Sequence, residues 1–95
     1  MKREDFIWTI GYQDETAIVD GPSRRSYGKL KARELLELGL YRAAFCAALY
    51  DQEAEQFLPE FQAATGITVE SVQVLKRLYG VFSTPDTVQR CTVIG

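Results

Sequence analysis

Phe6, Trp8, Ile10 and Tyr12 alternate with Ile7, Thr9 and Gly11, the period of two that sends successive side chains to opposite faces of a strand. The polar group Gln13-Asp14-Glu15 separates this run from Thr16-Ala17-Ile18-Val19, which is rich in β-branched residues and is stopped by Asp20-Gly21-Pro22-Ser23. Two such runs on a short polar turn predict an N-terminal antiparallel hairpin, with its first strand from Asp5 to Tyr12. Ser23 to Leu30 is polar and broken by Gly28. It reads as a loop, with a short third strand at Tyr27 to Leu30.

The pattern then changes to helical. Ala32 to Leu38 consists of helix formers, with Gly39 where a left-handed cap belongs. In Leu40 to Tyr50 every position but Arg42 is apolar, which predicts a helix enclosed by its neighbours, with Phe45 and Leu49 among the least exposed side chains. Asp51 can cap a further helix to Thr65, ended by Gly66, and Pro59 inside it predicts a kink or a division into two pieces. Thr68 caps the clearest helix, which runs to Tyr79 before Gly80. Its wheel turns Val72, Val74, Leu75, Leu78 and Tyr79 inward and Glu70, Gln73, Lys76 and Arg77 outward. Ser83 to Asp86 has the residues of one last turn, and Cys91 to Ile94 those of a closing strand able to join the hairpin. The fold class expected is therefore α+β: an N-terminal antiparallel β-hairpin packed on about four short helices, as a single domain over residues 1–95.

Length and composition agree with that size. Ninety-five residues, 46% of them apolar, suffice for one small core. Eleven basic against 13 acidic residues give a net charge of −2, which weighs against a mainly electrostatic nucleic-acid binder. Histidine is absent, and with it go Ser-His and Cys-His catalysis and every His-containing zinc site. Cys46 and Cys91 stand far apart without a CxxC pair, so neither a zinc knuckle nor a dithiol redox motif can be drawn. The apolar run after Met1-Lys2-Arg3-Glu4-Asp5 is too short for a signal-peptide core, and no uncharged stretch approaches the roughly 20 residues of a membrane span. The expectation is a cytoplasmic protein with reduced thiols and no membrane contact.

Charge is unevenly distributed. Arg24, Arg25, Lys29, Lys31, Arg33 and Arg42 face only Glu34 and Glu37 between Pro22 and Arg42, whereas Asp51 to Glu70 holds five acids and no base. Arg24, Arg25, Lys29, Lys31 and Arg33 are thus the candidate binding residues of a non-catalytic interaction or regulatory module, with a protein partner or a second copy as its target. Arg24 and Arg25 lead because they fall on the expected loop. An enzyme subunit whose site is completed by a partner is a further alternative. No catalytic residue, metal ligand or cofactor motif is assigned: there is no phosphate-binding glycine pattern, calcium loop or nucleophile elbow.

Phe57 to Leu78 resembles a helix-turn-helix, with Ile67, Val72 and Leu75 at the apolar positions that seat a second helix. Such a resemblance implies a small DNA-binding regulator reading bases through Gln73 and Arg77. Gln62 departs from the pattern, standing where a small residue is expected, and Glu70 on the groove-facing side would repel phosphate. The Phe6, Trp8 and Tyr12 aromatics could stack single-stranded bases, but no basic residue is interleaved with them.

Overall fold

The structure, a computed structural model, describes residues 1–85 and 88–95. The turn expected from Ser83 to Asp86 runs into Asp86, outside the described residues. The class is α+β, and the chain groups into two compact units, Met1–Leu30 with Thr84–Gly95, and Lys31–Ser83. Among the described residues no helix is long and apolar enough to cross a membrane.

The first unit is a three-stranded mixed sheet with two short helices. β1 (Thr9–Gln13) and β2 (Thr16–Asp20) form the antiparallel hairpin, and β3 (Arg90–Ile94) joins β2 in parallel, giving the order β1-β2-β3. Asp14 turns the hairpin at φ 56, a left-handed value that Asp tolerates better than most residues. The first strand starts later than its alternation suggests, because Arg3–Ile7 is a helix, α1. The Phe6 N–H donates to the Lys2 carbonyl and the Trp8 N–H to that of Glu4, so Phe6 and Trp8 belong to a helical turn and Phe6 is buried. An aromatic platform of Phe6, Trp8 and Tyr12 on one strand face therefore does not form.

The expected loop after Asp20 is also a helix, α2 (Gly21–Tyr27). Asp20 caps it: its carboxylate accepts the Ser23 N–H at 3.3 Å and the Ser23 hydroxyl at 2.8 Å, while Pro22 occupies the first turn, where a missing N–H costs nothing. Asp20, Pro22 and Ser23 thus end the strand, as expected, and at the same point start a helix in place of the expected loop. Both α1 and α2 pack on β2, whose Ala17 and Val19 are fully buried.

The second unit is all helix: α3 (Ala32–Glu37), α4 (Tyr41–Tyr50), α5 (Ala54–Thr65) and α6 (Val72–Tyr79). Ala43 to Ala48 are all buried, as the composition of α4 predicts, although Leu49 is only half-buried. Small alanines let the aromatics close around Phe45, whose ring lies 6.2 Å from Phe57 and 5.9 Å from Tyr79. Asp51 ends α4 and does not start α5. Pro59 sits on the exposed side of a helix that continues through it as one element. There the carbonyl it leaves without an intrahelical donor can turn to water.

Thr68 caps nothing, for α6 begins four residues later behind Ser71. Gln62 supplies the reason. Its side-chain oxygen accepts the Val69 N–H at 2.7 Å, holding the chain extended between Gly66 and Ser71 where a helix-turn-helix would have a tight turn. The buried face of α6 is narrower than its wheel suggests. Val72 and Leu75 are buried, but Val74 and Leu78 are exposed, Leu78 at 62%.

A charged cleft between helices α3 and α5

The five candidate cations divide into four situations. Arg24, on α2, has its Nε donating to Asp5 Oδ1 at 2.6 Å and an Nη 3.6 Å from Glu4 Oε1. Asp5 is buried, so this guanidinium neutralises a carboxylate that water reaches poorly. Arg25 donates from Nη2 to the Gly95 backbone oxygen at 2.9 Å. Lys29 is exposed between α2 and α3. Lys31 and Arg33, in the second unit, face a cleft.

That cleft, about 290 Å³, is lined by Lys31, Ala32 and Arg33 at the start of α3, by Ala48 of α4, and by Glu53, Gln56, Phe57 and Glu60 at the start of α5. Its acidic wall follows from helix geometry: positions 53, 56 and 60 lie three and four residues apart and share one face of α5, with Phe57 beside them. The floor is Phe57 and Ala48, both buried. Among the described residues no ion pair joins Lys31 or Arg33 to Glu53 or Glu60, so two cations and two carboxylates border one apolar-floored hollow without neutralising each other. Glu34 caps its own helix instead, its carboxylate accepting the Lys31 N–H at 3.1 Å. Sequence reading grouped Glu53 and Glu60 within the acidic Asp51 to Glu70 segment but did not place them, or Gln56, opposite Lys31 and Arg33; their spacing around the apolar Phe57 was the available signal.

A second hollow, about 580 Å³ and more open, lies on the sheet surface against Gln13, Asp14, Thr16, Ile18 and Arg90 to Thr92. Both cysteines are free, Cys46 buried and Cys91 exposed. Burial pushes the Cys46 thiol above its ordinary value, with Arg42 pulling weakly the other way. Partial desolvation and then the Asp5 charge raise Cys91 as well, against the smaller opposing pull of the N-terminus and Arg24. Neither is therefore activated as a thiolate nucleophile. Gln73 and Arg77 are exposed on α6, beside the exposed Val74 and Leu78. No protein-family model, curated protein or solved structure matches this chain.

Proposed function

We propose that this chain is a non-catalytic protein-interaction module, and that the α3–α5 cleft is where it holds its partner. The observation that carries the reading is the pair of unneutralised walls over an apolar floor. Charged groups left without internal partners keep their field available to a ligand. A partner segment fits if it presents an acid toward Lys31 and Arg33, a base toward Glu53 and Glu60, and a small apolar group between them over Phe57. Arg24 and Arg25, with partners inside their own unit, serve the fold first, which makes Lys31 and Arg33 the leading members of the basic set.

The test is capture from native extract by the immobilised chain, comparing wild type with Lys31→Glu/Arg33→Glu and with Glu53→Lys/Glu60→Lys. The expected result is one retained protein, lost from both charge-reversed variants and eluted from wild type by moderate salt. Equal retention by all three would remove the cleft from the function. Retention of mixed-sequence duplex DNA at physiological salt, abolished by Gln73→Ala/Arg77→Ala, would replace this reading with the DNA-binding one.

A further inference from the structure

We infer that β3 is a self-association edge: two copies of the chain pair their β3 strands antiparallel about a two-fold axis at Thr92, joining two three-stranded sheets into one of six strands. The proposal does not rest on the α3–α5 cleft, which lies in the other unit.

β3 is the outer strand of the order β1-β2-β3, and all five of its residues are exposed, Val93 at 48% and Ile94 at 45%. Its backbone fixes which groups remain unused. The Arg90 N–H donates toward β2, to the Glu15 carbonyl at 3.3 Å, and N–H and C=O directions alternate along a strand. Arg90, Thr92 and Ile94 therefore serve the ladder with β2, and Cys91 and Val93 present their N–H and C=O groups outward. Water solvates these groups one by one, whereas another strand pairs with the whole row at once.

The other lateral edge, β1, is interrupted by an irregularity between Thr9 and Gly11, whereas β3 keeps an unbroken register from Arg90 to Ile94. It also carries no proline, lysine or bulge, the devices that ordinarily block edge pairing.

A second copy is the occupant that charge and register favour. The unit carrying β3 contains six basic and six acidic residues, so it adds no net charge of its own to the small repulsion between two chains of −2 each. In the antiparallel register about Thr92, Cys91 of each copy opposes Val93 of the other, which satisfies all four outward N–H and four outward C=O groups, one set to the other. The two Arg90 side chains fall at opposite ends. A parallel arrangement would set them side by side. The axis places Thr92 against its own copy, a favourable cross-strand pair at a position whose backbone groups face β2. One short strand is a small interface, so the dimer should populate at about 100 µM and above and dissociate on dilution.

The experiment is sedimentation equilibrium of the full chain over that range, with circular dichroism checking each variant's fold. Thr92→Lys places two ammonium groups face to face and should weaken dimerisation at least about tenfold, as should Thr92→Glu, while mixing the two variants restores pairing. In a Cys91→Ser background, Thr92→Cys should form an intermolecular disulfide under mild oxidation. A wild-type chain that stays monomeric throughout, or a dimer indifferent to Thr92→Lys, overturns the proposal. So does an equal mixture of the lysine and glutamate variants that pairs no better than either alone.

Discussion

Arg24 is held from two sides, by Asp5 at 2.6 Å and by Glu4 at 3.6 Å, both on α1. The pairing matters because Asp5 is buried, and a buried carboxylate without a counter-charge is costly. Arg24→Ala should lose roughly 2–3 kcal/mol in urea titration, while Asp5→Asn/Arg24→Ala should lose less than the two single changes together, since no charge is then stranded. A single-variant loss below about 0.5 kcal/mol would show the pair to be solvated. At this scale the sequence reading was partial. It found the cations, but the carboxylate that claims Arg24 lies nineteen residues earlier, and no local pattern links the two. Gln62 is comparable: it reads as a departure from a helix-turn-helix until its bond to Val69 is seen.

At the scale of elements, β3 is attached through its end as well as its ladder. A Cβ at Gly21 would stand 2.6 Å from the Ile94 carbonyl oxygen and 2.9 Å from that of Gly95, so only glycine lets α2 begin where the strand finishes. Arg25 reaches from the same helix to the Gly95 oxygen. Gly21→Ala should therefore displace the end of β3 and cost about 1–3 kcal/mol, the usual range for overpacking. Faster amide exchange at Thr92 and Ile94 would report it; unchanged protection at both would mean that the strand end accommodates a methyl group. Elements with strong internal signals were legible. α4 is buried because its sequence is apolar all round, and Gly39, Gly66 and Gly80 each take the left-handed φ expected beyond a helix end. α1 and α2 were not legible as helices. Five and seven residues are too few to be helical on their own account, and packing on β2 sustains them.

For the molecule as a whole, the raised Cys46 and Tyr79 groups imply a loss of stability on the alkaline side. The Cys46 thiol is raised above its ordinary 9.0 by burial, and the Tyr79 hydroxyl above its ordinary 10.0 by burial and then by Tyr41. A folded state that holds a proton more tightly than the unfolded chain loses stability as pH rises. The contribution of Cys46 is complete below 9.0, where the unfolded thiol is still protonated. It falls away as pH climbs through the raised folded value, and Tyr79 adds its own loss above 10.0. Denaturation free energies should thus decline as pH rises past 9.0 and further past 10.0, and Cys46→Ala should flatten the lower part of that decline. A slope identical in wild type and Cys46→Ala would assign the decline to other groups.

What the sequence determined by itself is what neighbours along the chain can decide: the α+β class, the hairpin, the apolar helix at the centre of Lys31–Ser83, and the glycine-ended helices. These follow from hydrophobic period, turn chemistry and caps, each acting within a few residues. Tertiary structure alone decided the partners. It gave Arg24 to Asp5 and Arg25 to Gly95, laid β3 parallel to β2 with its outer edge open, and set Lys31 and Arg33 across a hollow from Glu53 and Glu60. Charges and strand edges act through space over several ångströms and have no fixed spacing in sequence, so their pairing exists only once the chain has folded.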